Sequence, residues 1–181
     1  MKIINQDKVC FFGHRKIDET EELKNKLFDT IENLIINEKV DTFLFGSKSE
    51  FNTLCLKIVD KLKQKYPYIK RIYVRSTYQH IDESYKNYLL EYYEHTYFPE
   101  RLENVGKATY IERNKEMIDH SRFCVVYYNQ NYLPPKRKNS KRDLFEYQPK
   151  SGTQRAYNYA TKKIIFNIFS NKKAFTLRKG F

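Results

Sequence analysis

Three short segments combine glycine with hydroxyl, amide and guanidinium side chains: Phe12-Gly13-His14-Arg15, Phe45-Gly46-Ser47-Lys48-Ser49-Glu50-Phe51-Asn52 and Ser151-Gly152-Thr153-Gln154-Arg155-Ala156. A fourth, Tyr110-Ile111-Glu112-Arg113-Asn114-Lys115-Glu116-Met117, adds an arginine and a second asparagine. The chain holds only five glycines, so each stands where a side chain is excluded or φ must be positive. Backbone N–H groups at a strand end or helix start, flanked by hydroxyls and arginines, make a site for anions, phosphate above all. The candidate ligand contacts are therefore Gly13, His14, Arg15, Gly46, Ser47, Ser49, Asn52, Arg75, Arg113, Asn114, Ser151, Gly152 and Thr153. Plainer roles compete at each. Ser151 is a natural helix N-cap, His14 has backbone partners within reach, Arg15 has acids on the next helix, and Arg113 suits a structural ion pair.

Hydrophobic periodicity supplies the elements that position these residues. Apolar runs at Lys8–Phe12, Val40–Phe45, Ile69–Arg75, Phe123–Tyr128 and Ile164–Phe169 read as five strands. Between them, Glu19–Glu38, Glu50–Tyr66, Asp82–Tyr93, Tyr110–His120 and Gly152–Lys162 read as helices, while Phe98–Lys107 looks irregular. Alternation of this kind predicts an α/β, Rossmann-like three-layer fold with a mainly parallel sheet of about five strands. Ligands of such sheets bind outside the carboxyl ends of the strands. Gly13, Gly46, Arg75, Tyr128 and Gly152 all fall at that edge.

Taken in order, these motifs resemble the SLOG superfamily of Rossmann-like domains, relatives of the DprA/Smf and LOG groups. The YoqJ/YpsA-like domains of unknown function are the most similar branch. The resemblance runs over residues 8–169 and rests on Gly13-His14-Arg15, Arg113-Asn114-Lys115-Glu116-Met117 and Ser151-Gly152-Thr153-Gln154-Arg155-Ala156. It departs at Phe45–Asn52, where the branch carries Gly-Gly-Ala-x-Gly-Phe-Asp; two glycines are lost and Asn52 replaces an aspartate. The resemblance implies a domain that senses or sequesters a nucleotide-derived ligand, including signals of bacterial or phage conflict. LOG enzymes cleave an N-glycosidic bond with the Arg of Arg-Lys-x-x-Met and the Glu of Gly-Thr-x-x-Glu. Here Arg113 is kept, Asn114 replaces the lysine, and Ala156 stands at the glutamate position. Oxocarbenium-like chemistry needs a carboxylate, so binding without turnover is expected. A glycosidase or transferase using Glu112, Glu116 or Asp119 instead is the enzymatic alternative, and DprA-like nucleic-acid binding is the third reading.

Composition narrows the setting. At 181 residues, 40% hydrophobic and 31% charged, the chain suits one folded domain rather than a disordered or membrane protein. No apolar stretch nears the roughly 20 residues of a membrane span, and Met1–Asp7 lacks a signal-peptide core, so a cytoplasmic location is expected. Cys10, Cys55 and Cys124 read as buried thiols; neither they nor the four scattered histidines have metal-ligand spacing, so no metal and no cofactor is expected. Ten of the twelve net positive charges lie in residues 129–150, a basic loop insertion, and 162–181, which includes a basic tail at 170–181. Such charge offers weak, salt-sensitive nucleic-acid binding or simply a solvated surface. The loop is also long enough to act as a lid. Tyr85, Tyr88 and Tyr92, at helical spacing within the tyrosine-rich segment 78–97, are expected to pack in the core or between copies of a homo-oligomer. A stacking surface for bases is the sharper alternative.

Overall fold

The computed structural model describes residues 8–132 and 151–169. Among these residues six parallel strands form one sheet in the order β4-β3-β2-β1-β5-β6. They are β1 (Lys8–Gly13), β2 (Thr42–Phe45), β3 (Lys70–Val74), β4 (His95–Tyr97), β5 (Phe123–Tyr127) and β6 (Ile164–Asn167). The helices are α1 (Glu21–Ile36), α2 (Glu50–Lys65), α3 (Glu83–Leu90), α4 (Thr109–Asp119) and α5 (Gly152–Tyr159). The α/β Rossmann-like three-layer arrangement predicted from the sequence is thus present, with one strand more than the periodicity gave.

Side-chain alternation along the strands builds a core on each face. Val9, Phe11, Phe43 and Phe45 pack with Leu27, Ile31, Phe51, Leu54 and Leu89 from α1, α2 and α3. Cys10, Phe12, Leu44 and Val126 pack on the opposite face with Met117 and Ile118 of α4 and Ala156 of α5. Because both faces are covered, the central strands read as unbroken apolar runs. All three cysteines are buried and free; Cys10 and Cys124 are register partners on β1 and β5, with sulfurs 3.5 Å apart.

The extra strand, β4, lay in a stretch without readable periodicity. Three residues are too few to show a pattern; pairing with β3 makes the strand (Ile72↔His95, Tyr73↔Thr96, Val74↔Tyr97). Glu94 anchors it, accepting from Arg71 N–H at 2.6 Å and pairing with the Arg71 guanidinium.

The chain steps outward from β1 to β4, then returns to the other side of β1 to lay down β5 and β6. Connections therefore diverge between β1 and β5, the point at which open parallel sheets as a class form a crevice at the carboxyl ends of their strands. Four helices start at this edge with a side-chain cap: Thr20, Ser49, Asp82 and Ser151 accept from the N–H of Leu23, Asn52, Tyr85 and Gln154. Helix α4 instead enters through a 3-10 turn, Gly106–Ala108. Among the described residues no helix is long and apolar enough to cross a membrane. Residues 133–150 of the basic loop and the tail at 170–181 lie outside the described residues, and with them the lid and most of the charge on which nucleic-acid binding would rest.

Candidate functional site at the carboxyl edge of the sheet

At the β1–β5 divergence, Gly13 closes the strand. A methyl group added there would lie 2.5 Å from Cδ1 of Phe51, so the glycine lets α2 pack on β1. His14 follows, 2% exposed, its backbone N–H donating to Tyr127 O at 3.2 Å. Its Nε2 accepts from Asn129 N–H at 2.8 Å, and Tyr132 stacks on the ring with centroids 3.9 Å apart. Burial lowers the pKa of the imidazole from its ordinary value. The Nδ1 atom is buried without a hydrogen-bond partner among the described residues.

Arg113 reaches from the first turns of α4 across the ends of β2 and β3. Its Nη1 donates to Gly46 O and, at 3.2 Å, to Ser76 Oγ; its Nη2 donates to Asn114 Oδ1 at 3.2 Å. The residue is 5% exposed, and the guanidinium carbon lies 5.6 Å from the centre of the exposed Tyr110 ring. Among the described residues no carboxylate pairs with it. Burial without a counter-charge pulls its pKa down to about 10. Gly46 is glycine because the arginine crosses it: an added methyl would meet Arg113 Nε at 2.8 Å and Met117 Sδ at 2.7 Å. Arg75, past the end of β3, donates through Nη1 to the carbonyls of Tyr78 and Gln79, and burial lowers its pKa as well.

The remaining predicted residues divide between local structure and open space. Ser49 caps α2 and also accepts from Asn52 Nδ2 at 3.3 Å, while Ser47 Oγ accepts from Ser49 N–H. Asn52 is 2% exposed. Arg15 is exposed, its carbonyl accepting from Glu50 N–H at 3.0 Å. At the start of α5, Ser151 is the cap and Thr153 is buried, whereas an added methyl on Gly152 would meet nothing within 4 Å. Ala156 is buried in the second core, one turn below that opening.

The pattern of unpaired atoms organises this edge. Native proteins pair more than about 90% of their buried polar atoms. Five buried side-chain atoms of the described residues have no partner: His14 Nδ1, Asn52 Oδ1, Arg75 Nε, Arg113 Nε and Ser121 Oγ. Ser121, before β5, is at the opposite edge; the other four surround the carboxyl ends of β1, β2 and β3. Both arginine atoms are donors.

Carboxylates are engaged elsewhere. Arg101 pairs with Glu112, Glu116 and Asp119, which are further held by Lys115, His120 and the Tyr159 hydroxyl. Asp119 ends α4, and its carbonyl accepts from Lys163 at the start of β6, so it lies at the opposite edge. Glu50 does sit at the carboxyl edge, where Lys16 and the Ile17 N–H neutralise it. Among the described residues no cluster suited to a metal ion occurs.

Sequence reading had passed over Ser76, Asn129 and Tyr132, which hold Arg113 and His14 in place. Their position just past β3 and β5 was the available signal. The tyrosine ladder is split: Tyr85 is partly buried against the core, while Tyr88 and Tyr92 are 53% and 43% exposed. Compared with known proteins, the chain matches no family model and no curated sequence.

Proposed function

We propose that this protein is a SLOG-like domain that binds, without turning over, a nucleotide-derived ligand carrying phosphate, in the crevice at the carboxyl edge of its sheet. The observation that carries this reading is Arg113: a residue 5% exposed whose guanidinium has, among the described residues, neither a carboxylate nor a partner for Nε. A buried charge is retained when something of opposite sign completes it, since desolvation otherwise penalises it heavily. Arg75 Nε adds a second unmatched donor beyond the adjoining strand. An anion rich in acceptors and poor in donors satisfies both. Binding rather than catalysis is supported by Ala156, buried in the core, and by the ion pairs that hold Glu112, Glu116 and Asp119.

Thermal-shift measurements against AMP, ADP, NAD and inorganic pyrophosphate test the reading. A ligand at 100 times its Kd adds about 2.7 kcal/mol, which in a domain of this size raises Tm by roughly 5–10 °C. The rise is expected for wild type and absent in Arg113→Met. A wild-type Tm that moves with none of the four sinks the proposal. Free base released from AMP by the pure protein would favour the glycosidase instead.

A further inference from the structure

His14 sits where a strand-order reversal opens the crevice, yet its ring is packed among Tyr127, Tyr128 and Tyr132 and is only 2% exposed. Its tautomer follows from one contact. The Asn129 backbone N–H points at Nε2 from 2.8 Å. Two N–H groups cannot face each other at that separation, so Nε2 carries the lone pair and the ring proton is on Nδ1. The Asn129 carbonyl lies farther from the same nitrogen, at 3.2 Å, and does not reverse this choice. Nδ1 is thus a buried N–H donor with no partner among the described residues. Leaving such a group unmade is unfavourable, and Asn129 together with the stacked Tyr132 keeps the ring from turning to relieve it.

We infer that the Nδ1–H of His14 is a fixed neutral donor that reads an acceptor on the nucleoside portion of the ligand, while the phosphate sits at Arg113. Spacing separates the two contacts. Arg113 spans the ends of β2 and β3, and His14 lies between β1 and β5. At about 4.8 Å per strand these points are some 10 Å apart. A phosphate ion cannot touch both; an extended nucleotide can. The inference rests on the anion-binding reading and adds to it that this edge discriminates a nucleotide from its bare phosphate.

Long-range nitrogen–proton NMR spectra of the ligand-free, nitrogen-15-labelled protein test the tautomer without any ligand. Nδ1 is expected in the protonated range and Nε2 in the unprotonated range; the reverse overturns the inference. Calorimetry with AMP and with inorganic phosphate tests the contact. His14→Phe keeps an aromatic ring but no donor, and AMP affinity is expected to fall about tenfold, the loss of one hydrogen bond, with phosphate affinity unchanged. His14→Asn places an amide N–H near the Nδ1 position and is expected to hold most of the AMP affinity. The Nδ1–H resonance of the wild type is expected to move on adding AMP and to stay on adding phosphate. Equal losses for AMP and phosphate, or no loss for either, overturn the assignment while leaving anion binding intact. Wild type that binds neither AMP nor phosphate overturns the anion-binding reading and this inference with it.

Discussion

Replacing Arg113 with methionine separates a ligand-binding arginine from a structural one, because the two roles predict opposite signs for stability. Burial, the main cause, holds the pKa of Arg113 well below the ordinary arginine value, at about 10. At 1.36 kcal/mol per pKa unit this corresponds to about 3 kcal/mol of destabilisation by the buried charge. Methionine fills a similar path beside Met117 without charge. It strands the Gly46 carbonyl and the Ser76 hydroxyl, which at about 1 kcal/mol each, the low end for such groups, costs about 2 kcal/mol. The ligand-free Arg113→Met protein is therefore expected to be more stable by about 1 kcal/mol, a Tm increase of roughly 2–4 °C for a domain of this size. Its AMP-dependent shift should vanish in the same experiment. Differential scanning calorimetry of both proteins, with and without AMP, reads both effects. A Tm that drops on substitution would refute the reasoning, since it would make Arg113 a net stabiliser of the fold.

Glycine substitutions should divide by what surrounds them. Gly13→Ala drives a methyl into the Phe51 ring and is expected to lose about 1–3 kcal/mol in denaturant titration. Gly152→Ala meets open space, so stability should hold or rise by about 0.5–1 kcal/mol, and weaker AMP binding there would mark close ligand approach. Arg101→Met breaks the network on α4 and should lower Tm through the loss of about 1 kcal/mol, leaving AMP affinity unchanged, because Arg101 pairs with these carboxylates and not with Arg113 or His14. His14 is held neutral by burial, with tyrosines packed on its ring and no carboxylate bonded to it among the described residues. Its folded pKa lies below the unfolded 6.5, so the unfolded chain takes up more protons between the two values. Its contribution is complete above pH 6.5 and declines as pH falls from there to the folded value; urea titrations should show this slope in wild type and a flatter one in His14→Asn.

Much of this architecture was legible in residue order. Val9–Phe12 and Phe43–Phe45 announce strands buried on both faces, and Leu27, Ile31 and Leu34 place α1 on one of them. Because parallel connections are right-handed, such alternation leaves few topologies, and all of them gather Gly13, Gly46, Arg75 and Gly152 at one edge. Short elements escaped. His95–Tyr97 is a strand because β3 offers it a partner, and nothing in three residues encodes that.

What the sequence by itself determined is the layered parallel sheet and the edge where its polar motifs converge, since periodicity and chirality act through neighbouring residues. What only the tertiary structure decided is the role of each residue at that edge. Gly13 yields to Phe51 and Gly46 to Arg113; Ser49 and Ser151 are held by helix ends; Arg113 and His14 keep donors that no described group answers. Those distinctions depend on which atoms from distant segments meet in a low-dielectric interior, where an unmatched proton is costly. That information is carried by packing between elements rather than by spacing along the chain.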